Sequence, residues 1–164
     1  MKIKSIINEN QSFKSGVEIL EFFAKNFSEL TTCELYEILK SRAEIFMLEQ
    51  KIFCLDMDDV DYKSRHYFLK ENGRVVAYLR AFYTDENKSR VKIGRVLSLK
   101  HKQGLGSILM QKSISDIKEN MNCETIYLNS QTHAVKFYEK FGFKSFGEEF
   151  LEEKVSHISM QLNL

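Results

Sequence analysis

The sequence contains no proline, no Gly/Ser-rich linker, no block of like charge and no internal repeat. Nothing in it therefore marks a second domain, and 164 residues suffice to bury one substantial core. Cysteine is scarce as well. Cys33, Cys54 and Cys123 are odd in number and far apart, which suits neither a zinc site nor a redox pair and reads as reduced thiols in a cytoplasm. No stretch approaches the ~18 apolar residues that span a bilayer. The basic start, Met1-Lys2-Ile3-Lys4, runs into alternating apolar and polar residues rather than a signal-peptide core. An excess of one charge is missing too: 24 Lys and Arg against 23 Asp and Glu leave a formal charge of +1, too little to hold a polyanion. These absences leave a soluble cytoplasmic protein, with no membrane and no nucleic acid among its expected partners.

Local patterns then give an order of elements. Residues 1–16 read as an N-terminal extension or the lead-in to a first strand, and the apolar run 17–24 fits a buried first strand and almost as well a helix. Thr31 and Glu34 have the spacing of a capping box, and Leu35, Ile38, Leu39, Arg42 and Phe46 recur at helical intervals, predicting a helix over 32–48. Asp56-Met57-Asp58-Asp59 reads as irregular. Two β-rich segments, 67–70 and 75–83, flank Asn72-Gly73, a tight-hairpin signal. A strand over 91–99 runs into His101-Lys102-Gln103-Gly104-Leu105-Gly106, after which Leu109, Met110, Ile114, Ile117 and Met121 mark an amphipathic helix. A strand over 125–129, a helix over 134–141 ended by Gly142, and a hairpin of 143–150 with 157–162 complete the chain. The order is mixed α/β (α+β): a mostly antiparallel front half, then a strand-helix-strand-helix unit.

The glycine loop is the first feature with chemical content. A helix N-terminus carries unpaired amides and the positive end of the helix dipole. Gly104 and Gly106 would let an anion approach those amides, with Lys102 adding a cation. Taken alone, such a loop is better read as a tight turn whose glycines only permit close packing.

A second segment changes that balance. Gln131-Thr132-His133-Ala134-Val135-Lys136-Phe137-Tyr138-Glu139-Lys140-Phe141-Gly142-Phe143 resembles the Asn-x-x-Ala-x-x-Phe-Tyr-x-Lys-x-Gly-Phe motif of the GCN5-related N-acetyltransferases. His101 to Gly106 resembles that family's Arg/Gln-x-x-Gly-x-Gly/Ala loop, at the expected place one strand earlier. His101, Lys102 and Gln131 depart from the family's usual Arg or Gln, Gly and Asn. Glu34 to Lys40, Arg42, Phe46, Glu49-Gln50, Asp56, Asp58, Ala77-Tyr78, Arg80, Gly94-Arg95-Val96 and His157-Ile158 further resemble its ElaA-like branch.

The resemblance implies a single N-acetyltransferase domain over 17–164, with a mixed, mostly antiparallel central sheet and helices on both faces. It implies acetyl-CoA as cosubstrate, no metal, and an amine of a small molecule or peptide as acceptor; a homodimer stays open. By position, the pyrophosphate falls to the loop, His101, Lys102, Gln103, Gly104, Leu105, Gly106 and Ser107, and the pantetheine to the backbone of Leu97, Ser98 and Leu99. Gln131, Phe137 and Tyr138 flank the cosubstrate, and Tyr138 is placed to protonate the departing thiolate.

Acetyl transfer to an amine also needs a base or a water path. Of the histidines, His133 is favoured because it begins the helix that carries Tyr138. Arg42, Arg80 and Arg95 either clamp an acceptor anion or pair internally with Glu49 or Asp56. Arg42, Glu49, Asp56, His66, Arg80, Arg95 and His157 are the expected polar lining of the acceptor pocket. A non-catalytic acyl-CoA sensing domain is the alternative, and it would have no need of Tyr138.

Overall fold

Thr31 opens the first long helix as its spacing predicts: its Oγ1 accepts from the Glu34 amide at 3.1 Å, and the Glu34 carboxylate accepts from the Thr31 amide at 2.9 Å. The computed structural model describes residues 19–164, so the expected extension over 1–16 and the first residues of the 17–24 run lie outside the described residues. Helix α1 covers Thr32–Arg42. The chain then continues as a wider π-helical turn over Ala43–Glu49, where the predicted single helix does not stay regular.

Seven strands form one sheet: β1 Leu20–Asn26, β2 Arg65–Glu71, β3 Arg74–Tyr83, β4 Arg90–Ser98, β5 Thr125–Gln131, β6 Lys144–Glu152 and β7 Val155–Asn163. Their spatial order is β1-β2-β3-β4-β5-β7-β6. The 17–24 run is thus a strand at its described end. Asn72 and Gly73, both left-handed (φ +50° and +82°), make the β2–β3 hairpin that Asn-Gly favours. All pairings are antiparallel except β4 with β5, which are joined by helix α2, Leu105–Asn120, in a strand-helix-strand crossover.

Alternation along β2 and β3 splits the core between the two faces of the sheet. Tyr67, Leu69 and Leu79 pack with Leu109, Met110 and Ile117 of α2, while Phe68, Val75 and Tyr78 pack with Ile38 of α1. The helices therefore cover opposite faces.

Two irregularities position the site. The β3–β4 register slips between Tyr78 and Arg80: Tyr78 faces Leu97 and Arg80 faces Gly94, so β4 holds one extra residue, and Arg95 within it is left-handed (φ +57°), a β-bulge that re-aims side chains. Parallel pairing of β4 with β5 covers only Arg90–Lys92 against Thr125–Tyr127. Beyond Lys92 the two strands part, and among the described residues no strand pairs with that edge of β4.

Candidate active site

A cleft of about 750 Å³ opens where β4 and β5 separate. Its walls come from the π-helical turn and the loop after it, from β3 and β4, from the end of β5, and from the β6–β7 hairpin. Helix α3, Val135–Glu139, follows a short 3-10 turn over Thr132–Ala134 and sets Tyr138 into the cleft at 8 % exposure. The rings of Phe137 and Phe143 stand edge-on to Tyr138 at 5.0 and 6.2 Å and fix its orientation. Burial raises the pKa of the phenol, and its hydroxyl has no hydrogen bond among the described residues.

The glycine loop lies beside α3. Gly104 is left-handed (φ +78°) and starts α2 with no side-chain cap. Ile108 makes the first return bond, to the Gly104 carbonyl at 3.0 Å, so the amides of Leu105, Gly106 and Ser107 have no partner within the helix. A Cβ on Gly104 would meet nothing within 4 Å, whereas one on Gly106 would sit 3.5 Å from the Phe137 ring. Gly104 thus leaves open space before the amides, and a side chain at Gly106 would only touch the Phe137 ring of α3. An anionic phosphate group fits this cradle. Lys102 and Gln103 are exposed on the loop. Leu97 is buried against the α1-side core, Ser98 donates to the Lys100 carbonyl, and the Leu99 amide donates to Val76.

The expected acceptor residues, together with Gln131 from the cosubstrate set and His133 from the catalytic set, separate into two groups. Asp56, Arg80, Arg95, Gln131, His133 and His157 line the cleft. Arg42 and His66 do not: each is 1 % exposed, and their expected place in the lining is corrected. Arg42 donates from Nε to Asp56 at 2.7 Å and from Nη1 to Asp61 at 2.8 Å. His66 has Nε2 3.0 Å from the Asp61 carbonyl and Nδ1 2.8 Å from the Tyr78 hydroxyl. The carbonyl fixes the proton on Nε2, so Nδ1 accepts from Tyr78, and burial lowers the pKa of the ring. Glu49 and His101, expected in different sites, pair with each other at 3.0 Å outside the cleft.

Three arginines and three aspartates form one network at the cleft floor. Arg80 grips Asp58 in bidentate fashion at 2.7 and 2.6 Å and reaches Asp61 at 2.9 Å; Arg95 reaches Asp56 at 2.6 Å. The Arg80 hydrogen bonds hold the Asp58 carboxyl down at about 2. For Asp61, burial acts upward, but the bonds from Arg42 and Arg80 prevail and its pKa is lowered. This network answers the open question about the arginines: they pair internally, with Asp56 and two further aspartates rather than Glu49, and pin residues 56–61 over the sheet.

Several lining residues escaped the sequence reading: Phe46, Ile52 and Leu55 from the first wall, Lys92 from β4, and Glu152 and Glu153 from the hairpin tip. Lys92 was legible in part, since it alternates with buried Val91 and Ile93 and must point away from α2. The hairpin carboxylates had no signal, because their turn places Glu153 and Lys154 at φ +49° and +66° without the usual Gly or Asn. Among the described residues no cluster of His, Cys, Asp and Glu is arranged to hold a metal, and no helix is long and apolar enough to cross a membrane.

Comparison with known proteins agrees with this geometry. Residues 42–164 match the family model of the acetyltransferase (GNAT) domain. A UPF0039 protein of Schizosaccharomyces pombe is 36% identical over 88% of this chain and 98% of its own length. The crystal structure of Escherichia coli ElaA superposes with a TM-score of 0.81 at 31% identity, covering 87% of this chain and 99% of ElaA. An acyl-CoA N-acyltransferase from Pseudomonas aeruginosa superposes with a TM-score of 0.79 at 32% identity, covering 87% and 99%. With its sheet opening at β4, its uncapped glycine loop and its buried tyrosine, the chain belongs to the GNAT family of N-acetyltransferases, in the ElaA-like branch.

Proposed function

We propose that this enzyme moves an acetyl group from acetyl-CoA to an amine of a small polar molecule or a peptide. The carrying observation is the parting of β4 from β5 beyond Lys92, which leaves a strand edge for the pantetheine amides between the α2 amides and Tyr138. In this reading the free amides of Leu105, Gly106 and Ser107 hold the pyrophosphate, with Lys102 beside them. Open space at Gly104 supports the close approach.

Tyr138 acts on the leaving sulfur. Its raised pKa keeps the phenol protonated, and its unbonded hydroxyl is available as a donor to the sulfur as charge develops there. The Asp–Arg network is internally neutral, so it supplies a rigid floor rather than a free anion clamp. Exposed free thiols at Cys33 and Cys54 support a reducing, cytoplasmic setting.

Titration calorimetry with acetyl-CoA, followed by thiol release with polyamines, amino acids, aminoglycosides and peptide N-termini, tests the reading. Saturable binding with turnover of at least one amine is expected. Binding without turnover would make the chain an acyl-CoA sensor, and absence of binding overturns the proposal.

A further inference from the structure

We propose that His157 is the general base of the transfer, taking the proton from the attacking amine at Nε2. The inference rests on the acetyltransferase reading above. His157 lies on β7, paired in register with Gln131 of β5 and Phe150 of β6. The Phe150 ring stacks on it at 6.0 Å and 23°. Its Nδ1 lies 2.8 Å from the Val155 carbonyl oxygen. A carbonyl has no proton to give, so Nδ1 carries it and the lone pair of the neutral ring sits on Nε2. The side chain is only 9 % exposed, yet it lines the cleft that holds Tyr138, and Nε2 has no hydrogen bond among the described residues. Nε2 is an unpaired acceptor that is not closed off inside the protein, and an amine N–H is the donor that the reaction brings.

The other three histidines lack this combination. Both ring nitrogens of His66 are engaged, and His101 pairs with Glu49 outside the cleft. His133 is exposed, and among the described residues no hydrogen bond holds its ring, so it is displaced from the role that its place before Tyr138 suggests.

An acceptor that arrives as an ammonium ion first loses one proton to solvent, and transfer starts from the neutral amine. The N–C bond forms and the C–S bond breaks, one N–H proton passes to Nε2, and the sulfur takes the Tyr138 proton. The imidazolium then returns its proton to the phenolate through solvent, leaving an amide and a free thiol. The charged and titratable groups that share the cleft with the ring come from several walls. Glu152 and Glu153 share its hairpin and attract an acceptor that arrives as an ammonium ion. Lys92 lines the cleft from β4, Tyr138 from α3 and His133 from the turn after β5. Asp56 and Asp58 are paired with Arg95 and Arg80.

The test uses acetyl-CoA and the amine of the panel that wild type turns over fastest. His157→Gln is expected to lower kcat/KM by about 10²- to 10⁴-fold and to remove the acidic limb of its pH profile, with acetyl-CoA affinity unchanged. His157→Asn, whose amide can still donate to Val155, guards against misfolding and should show the same loss. His133→Gln should leave the limb in place. An unaltered limb in both His157 variants overturns the inference. So does nitrogen NMR of the wild type showing the proton on Nε2 of the neutral ring. A wild type that turns over no amine overturns instead the acetyltransferase reading beneath it.

Discussion

At the scale of single residues, Tyr138 raises a question of acidity. A phenol titrates near 10 and a thiol near 8.5, and burial pushes this phenol up further. Full proton transfer to the thiolate is therefore uphill, and the hydroxyl works best as a hydrogen-bond donor whose proton moves late. Tyr138→Phe keeps the ring and its contacts with Phe137 and Phe143 and removes only that donor. A fall in kcat of roughly 10- to 1000-fold with little change in acetyl-CoA affinity is expected; steady-state kinetics showing unchanged turnover would make Tyr138 a packing residue. The sequence motif located this residue, but it carried no sign that the hydroxyl lacks a partner. The arginines show the opposite failure. Their type suits clamps and internal pairs equally, and only the contacts of Arg42, Arg80 and Arg95 decide between them.

At the scale of elements, the start of α2 and the loop over the floor carry separate consequences. Gly104 is left-handed, a conformation that a β-branched residue resists, so Gly104→Val should distort the cradle of amides. Wild type at acetyl-CoA concentrations near 100 times Kd should gain about 2.7 kcal/mol in stability, seen as a rise in melting temperature. Gly104→Val should lose that rise, and a variant that keeps it would show that the amides of this loop do not hold the cosubstrate. The network makes a different demand. Arg42→Ala would take from Asp56 its buried cation and leave Asp61 with Arg80 alone, at a cost of about 3 to 5 kcal/mol in chemical unfolding, while a loss below 1 kcal/mol would mean that the network relaxes freely. Capping box, hairpin and glycine loop were legible because each is a local pattern. The π-helical turn was not: Gln50 bonds back five residues to Ile45 and Ile52 six to Phe46. Such widening answers to what the turn packs against, which periodicity does not report.

At the scale of the whole molecule, the strand order and the gap between β4 and β5 lay beyond local sequence signals, because they depend on which strands meet across long separations. The acidic segment at 56–59 likewise read as a loop, although in the fold it joins α1, β3 and β4 through paired charges. That union ties global stability to pH. The carboxyl of Asp58 titrates near 3.8 as a free group and at about 2 in the fold. A depressed folded value means that the unfolded chain binds the proton first, so the contribution of Asp58 is complete above about pH 4 and disappears as pH falls towards 2. Asp61, Glu34, Glu37 and Asp116 are lowered too and act in the same direction. The melting temperature should therefore hold near neutral pH and drop steeply below about pH 4. Asp58→Asn cannot titrate and leaves Arg80 with a neutral partner, so it should melt lower at pH 7 and lose less than wild type between pH 4 and 2. Asp58 is about one-third exposed, so solvent screens part of the effect and the difference in slope is the quantity to measure. Identical acid slopes in calorimetric scans of the two proteins would assign the acid sensitivity to other carboxylates.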